Sequence, residues 1–322
     1  MDRGGEVGQL FFGMLHFYML CVKIIQKGEK MTEHVYQKTI QNAIEIEGVG
    51  LHSGKPIRMT LKPAQEGTGI IFYRTDVTDK DNKVPAKWDH VVDTRMNTCL
   101  GNSSGVVIST VEHFMGALAG LGITNLMVEL SGPEAPLMDG SARDFVTLIE
   151  KAGIQVQTCP VKAIKVLKSV RFEDGKGAST ELLPADEGLS FDFEIDFPQT
   201  KIIGHQQISF ALNEEAFKKL IAPARTFGFA AEVEQLRAMG LAQGATLENA
   251  IAIQGDTVLN PDGLRDANEF VEHKVLDAVG DLYEAGMPIV GHFKGIKSGH
   301  FHNNQLLRAL FADTANYEIV EL

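Results

Sequence analysis

Three histidines carry neighbours of the kind a hydrolytic centre needs. His273 and Asp277 stand four residues apart in a segment of helical periodicity, Asp266 to Gly286, so both side chains point the same way one turn apart, and Asp281 extends the stripe. Two ligands of one cation fit that spacing. The same stripe also reads as a solvated polar face, because Phe270, Val275, Val279 and Leu282 fall mostly on the opposite side. Glu112 and His113 open a second helical segment, Ser109 to Gly122. A metal hydrolase uses such a pair, one neutral imidazole for the metal and one carboxylate to take a proton from water. Ser109 and Glu112 also have the S-x-x-E spacing of a capping box, which alone accounts for the glutamate. His300 follows KSG and precedes a helix, where its ring can face a site or lie on a polar surface, and Thr226 is a weaker loop candidate. If His113, His273 and Asp277 converge, they supply three protein ligands and leave a fourth position for water, the pattern of catalytic zinc.

Other chemistries are absent from the sequence. It contains no P-loop, no Rossmann glycine fingerprint, no G-x-S-x-G elbow and no HExxH pair. The 322 residues hold 30 Lys plus Arg against 42 Asp plus Glu, a net charge of −12. That balance, with no basic run, argues against a nucleic-acid partner. Cys21, Cys99 and Cys159 are scattered and form no CxxC pair, which fits a reducing cytoplasm.

The elements that must position these residues read as α+β. From Gln37 short alternating runs such as TIQNAIEIEGVG and PIRMTLKPA predict strands, followed by the helix at Ser109 to Gly122, the strand TNLMVELSG and the helix SARDFVTLIEKAG. AIKVLKSVRFEDG and LSFDFEIDF open a second series that also ends strand, helix, strand, helix, with MPIVGHFKG and NNQLLRALFAD last. A duplicated unit is expected, with one domain over 34–157 and a second over 160–315. Arg225 to Asp266 fits neither copy and reads as an insertion made apolar by Phe227, Phe229, Leu236, Met239 and Leu241. Leu10 to Ile25 is apolar but short for a membrane span and lacks a signal-peptide cleavage site. Residues 1–30 are read as an extension outside the fold, ahead of a second start at Met31, with no stable membrane insertion.

Several stretches, in one order, resemble the family of UDP-3-O-acyl-N-acetylglucosamine deacetylases, zinc amidases of lipid A synthesis in Gram-negative bacteria. They are GVGLHSG (48–54), STVEHFMGALAGLGITN (109–125), MDGSA (138–142), ARTFGF (224–229), HKVLDAVGDL (273–282) and KSGH with NN (297–304). The resemblance implies two similar α+β domains with helices packed between two sheets, and a second insertion, around 227–252, shaping a passage for an acyl chain. Carried over position by position, it implies zinc on His113, His273 and Asp277, a general base at Glu112 and an acid or polarising imidazole at His300. Asp281 would hold that imidazole, Thr226 would serve the oxyanion and Lys274 would face substrate. Leu51, Phe227 and Phe229 would line the substrate, with Asp196 and Phe197 near the uridine and His52 and Lys176 near the diphosphate or sugar. Family members commonly have aspartate where this chain has Glu232. A monomeric enzyme acting on a nucleotide-sugar lipid precursor follows, with one Zn²⁺ that Fe²⁺ could replace on the same donors. Two other readings stay open: a zinc amidase for another N-acetylated substrate, and a duplicated binding module with surface histidines.

Overall fold

The computed structural model describes residues 34–322. The expected N-terminal extension and the start at Met31 lie outside the described residues. The first half runs β1 (Tyr36–Ile40), β2 (Ile44–Val49), β3 (Pro56–Pro63), β4 (Ile70–Arg74), β5 (Lys83–Pro85), β6 (Val91–Asp93), β7 (Cys99–Gly101), β8 (Val107–Ile108), α1 (Glu112–Leu121), β9 (Leu126–Leu130), α2 (Arg143–Ala152) and β10 (Ile154–Pro160). The second runs β11 (Lys162–Val166), β12 (Val170–Glu173), β13 (Ser179–Leu183), β14 (Leu189–Phe197), β15 (Gly204–Ala211), β16 (Phe227–Phe229), α3 (Ala230–Ala238), β17 (Ile251–Gln254), β18 (Thr257–Val258), α4 (Glu269–Tyr283), β19 (Ile289–Ile296), α5 (His300–Phe311) and β20 (Tyr317–Glu321).

The class is α+β, as the sequence suggests. One sheet has the order β2-β3-β9-β4-β5, and only its β9–β4 contact is parallel. In the larger sheet the path β12-β13-β19-β14-β15 repeats that order, again with one parallel contact, between β19 and β14. Alternate residues give each sheet an apolar face: Ile57, Met59 and Leu61 in β3, Phe191, Phe193 and Ile195 in β14. Those faces are covered by helices. Phe72 of β4 meets Phe114 of α1 edge-on at 6.1 Å, and Phe114 meets Phe145 of α2 at 5.3 Å. α1 lies along α4, which in turn packs on β14 and β15, so helices separate the two sheets.

The α1–α4 crossing is close because both helices present glycine there. A Cβ on Gly116 would lie 2.7 Å from Leu276 Cδ1, and one on Gly280 would lie 2.0 Å from the backbone oxygen of Glu112. Two bare backbones in contact bring Glu112 and His113 of one helix against Asp277 and Asp281 of the other.

Helix starts differ from the sequence reading in three places that matter to the site. α1 begins at Glu112 and not at Ser109, because Thr110 has φ +58°, a left-handed conformation that no helix can run through. No capping box forms. The Ser109 hydroxyl donates to the Pro133 carbonyl, and the Glu112 carboxylate turns instead to the backbone N–H of Thr98. α5 begins three residues before the expected NN, at His300, which follows an extended Gly299. The helix starting at Glu269 is likewise shorter at both ends than the expected Asp266 to Gly286.

Candidate metal centre

The stripe His273, Asp277, Asp281 is buried, at 3%, 3% and 1% exposure, so the solvated-face reading is overturned: α4 is covered by α1 on one side and by β14 and β15 on another. One ligand atom from each of His113, His273 and Asp277 lies within 4.8 Å of the others. Asp277 Oδ1 stands 3.6 Å from His113 Nε2 and 3.4 Å from His273 Nε2. His273 Nδ1 donates to the backbone oxygen of Ala224 at 3.0 Å, which leaves Nε2 as the lone-pair nitrogen. Burial lowers the His273 pKa to about 3, so the ring is neutral.

The other oxygen of Asp277 takes the Lys274 ammonium. Burial opposes both charges, yet their mutual attraction holds the Lys274 pKa up and the Asp277 pKa well below the usual carboxylate range. Asp277 Oδ1 is buried and accepts no hydrogen bond. A buried anionic oxygen flanked by two imidazole nitrogens and left unpaired is costly, and a cation on those three atoms removes the cost. The donor set fits zinc or ferrous iron.

Beside it sits a second pair of groups. His300 Nε2 lies 3.9 Å from Glu112 Oε1 and 4.0 Å from Asp277 Oδ2. His300 Nδ1 bonds Asp281 Oδ2 at 2.9 Å. Burial works against charge on His300, but the Asp281 carboxylate and this hydrogen bond outweigh it and raise its pKa to about 9. The ring is therefore cationic at neutral pH, and its reading as a surface histidine fails because its side chain is only 11% exposed. Glu112 is pushed up chiefly by burial, with His300 and His113 opposing.

Thr98, Asn303 and the Ala224 carbonyl were not among the candidates. Thr98 donates through its N–H to Glu112 Oε2 at 3.0 Å and through its hydroxyl to Asp281 Oδ1 at 2.6 Å. It thus ties the carboxylate beside the donor set to the carboxylate that holds His300. Asn303 adds a bond to Asp281 Oδ2 at 2.8 Å. The NN pair at 303–304 was the available signal for Asn303; nothing local marks Thr98. Cys99, next to it, has its thiol pushed to about 11 chiefly by burial and stays protonated, and both described cysteines are free.

The remaining candidates divide. Thr226 is half-buried between Ala224 and Phe227, fixed by backbone bonds to Gly140 and Ile251. Phe227 lies 6.2 Å from the His273 ring and 5.8 Å from Phe197, and Phe229 lies 6.3 Å from Phe197, so these aromatics form one wall. Leu51 and His52 accept backbone bonds from Gly244 and Gln243, so this turn and the 227–252 segment meet. Both ring nitrogens of His52 are buried and unpartnered, and burial lowers its pKa against the opposing charge of Glu134. Asp196 is paired with Lys297 at 2.6 Å. Lys176 is exposed at the β12–β13 turn and Glu232 is exposed in α3; among the described residues neither is joined to the donor set by a hydrogen bond or ion pair.

Glu284, at the end of α4, is buried with Oε1 unpartnered, and burial, then Asp281 and Glu112, hold its pKa well above the ordinary range. Folding raises this pKa, so its contribution to stability is fully present below the unfolded value and declines as pH rises toward the folded one. Between pH 5 and pH 8 the native chain should lose at least about 1 kcal/mol relative to Glu284→Gln, read by urea unfolding. Parallel pH profiles would show that the carboxyl is ionised inside.

The fold and this site define a class, an α+β hydrolase built around a His/His/Asp donor set with a carboxylate and a cationic imidazole in attendance. Residues 37–312 match the family of UDP-3-O-acyl N-acetylglycosamine deacetylases. Similar chains named UDP-3-O-acyl-N-acetylglucosamine deacetylase include that of Phenylobacterium zucineum, 46% identical over 86% of this chain and 94% of its own length. Those of Vibrio parahaemolyticus and Shewanella frigidimarina are 47% and 48% identical over 88% and 89% of this chain and 92% and 93% of theirs. The chain belongs to this deacetylase family and is an enzyme, a hydrolase acting on an amide.

Proposed function

We propose that the chain hydrolyses the N-acetyl amide of UDP-3-O-acyl-N-acetylglucosamine, releasing acetate and the free 2-amine, as the committed step of lipid A biosynthesis in the cytoplasm. The observation that carries the reading is the unpaired, buried Asp277 Oδ1 between two imidazole Nε2 atoms, beside Glu112 and His300. His113, His273 and Asp277 would hold one ion, and zinc there supplies Lewis-acid polarisation of the amide carbonyl and acidifies water near neutral pH.

The chain's own groups do the rest. Glu112, with Oε2 anchored on Thr98, has Oε1 free to take a proton from the attacking water. His300, kept cationic by Asp281, meets the developing oxyanion together with the Thr226 hydroxyl. Protonation of the departing amine falls to Glu112 or His300. Lys274 fixes the second oxygen of Asp277 and faces substrate. Phe197, Phe227 and Phe229 give the acyl chain an apolar wall, with Leu51 at the turn opposite, while Asp196, His52 and Lys176 serve the nucleotide and sugar. The matching strand orders support reading 34–157 and 160–315 as copies of one unit, with 227–252 as the second copy's insertion. Among the described residues no helix is long and apolar enough to cross a membrane.

Acetate release tests the reading. Turnover is expected on the 3-O-acylated UDP-sugar and to fall at least about tenfold on the unacylated one, since each buried methylene is worth roughly 0.8 kcal/mol. Equal turnover of both would remove the acyl-wall role, and no acetate from either would remove the activity.

A further inference from the structure

We propose that a cleft at the opposite end of α4 from the donor set binds a phosphate-bearing amphiphile. The cleft holds about 450 Å³, within the range of small-molecule sites. It is bounded by the 67–69 turn and β4 and β5 on one side, by Val161 and Lys162 on another, and by Tyr283, Gly286, Met287 and Pro288 beneath. Tyr283 is six residues beyond Asp277, about 9 Å along the helix, so this is a separate place from the metal centre.

Its chemistry is one-sided. Lys83, Lys87 and Lys162 line it, and among the described residues no aspartate or glutamate does, in a chain that carries twelve more acidic than basic side chains. Among the described residues none of the three lysines forms an ion pair; Glu321, opposite Lys162 across the β11–β20 ladder, is exposed and makes none with it. Three like charges around one concavity, with no counter-charge lining it among the described residues, repel one another and focus a positive potential into it. Lys87, though exposed, keeps its stem on the protein. A Cβ on Gly286 would meet Lys87 Cγ at 3.9 Å and Cε at 4.0 Å, so the Lys87 stem runs along the cleft wall over that glycine.

Across from it, Gly67 and Gly69 have φ +74° and +72°, and a Cβ on either would meet nothing within 4 Å. The turn therefore leaves the mouth open where side chains would stand. Lysine ammonium groups are point charges suited to a phosphate. The walls between them are apolar, from Ile70, Ile71, Pro85 and Met287, and the polar floor is already satisfied, since Asn125 bonds Gln37 and Gln157. A ligand there is anionic at one end and apolar at the other. Soluble phosphate monoesters and phospholipid headgroups both carry that chemistry.

The full chain, titrated calorimetrically with hexyl phosphate at fixed ionic strength, should show a saturable binding event that hexanol does not give. Lys83→Gln/Lys87→Gln/Lys162→Gln should weaken it at least tenfold, which separates this cleft from any phosphate bound at the metal centre. All three side chains are exposed, and Lys87→Gln alone should shift binding in the same direction if the triple variant unfolds. In a second arm, cosedimentation with phosphatidylglycerol vesicles but not phosphatidylcholine vesicles, lost in the same variant, would assign the phosphate to a lipid headgroup. Identical isotherms and cosedimentation for native and variant chains, or no binding in either arm, would overturn the proposal.

Discussion

Stripping the metal with a chelator should abolish deacetylation and adding zinc should restore it, whereas Glu112→Gln should keep one metal per chain and still lose about 10²–10⁴ in kcat. The two losses differ in origin. The donor set is His113, His273 and Asp277, and Glu112 is not in it. Glutamine keeps the shape of the side chain and can still accept the Thr98 N–H with its carbonyl oxygen, so the α1 start should survive. What it cannot do is take a proton at the position of Oε1, the oxygen that faces His300. His273→Ala should behave in the opposite way, losing metal and activity together. Metal analysis beside acetate release checks all three, and near-normal turnover by Glu112→Gln would remove the base from the mechanism whatever the metal content.

Much of the site was legible because it is local. His273 and Asp277 share a helix face, and Glu112 and His113 are adjacent, so spacing alone placed each pair side by side. Whether that face met water was not legible, because helix periodicity records one apolar side and α4 is covered on more than one. Nor was it legible that the Glu112 carboxylate makes no cap: S-x-x-E spells one, and only the left-handed Thr110 prevents it, a conformation that a threonine does not advertise. Thr98 lies 14 residues from Glu112 and 183 from Asp281 along the chain, so no window on the sequence holds all three. The strand order was half legible: alternation gives the strands of both series, but the single parallel contact in each path depends on a helix crossing that only packing fixes.

Gly280→Ala should be among the most damaging single-methyl changes in the chain, although the residue touches no substrate. Its Cβ would stand 2.0 Å from the Glu112 backbone oxygen and 2.8 Å from the carbonyl carbon, a backbone obstacle that no rotamer change relieves. The helices must separate, and overpacking of this kind costs about 1–3 kcal/mol, occasionally more. Alanine is the better helix former by up to about 1 kcal/mol, so the net loss measures the clash against that gain. The same separation carries Glu112 and His113 away from Asp277 and Asp281, and a shift of about 1 Å at a reacting centre can cost on the order of 10² in rate. Activity should therefore fall further than stability explains, with metal affinity falling beside it. Gly116→Ala supplies the comparison at the same crossing. Its nearest obstacle is Leu276 Cδ1 at 2.7 Å, the tip of a side chain that can rotate aside, so the expected losses are smaller in both readouts. If the two variants are equally active and equally stable, the close backbone contact is not what holds the two halves of the site together.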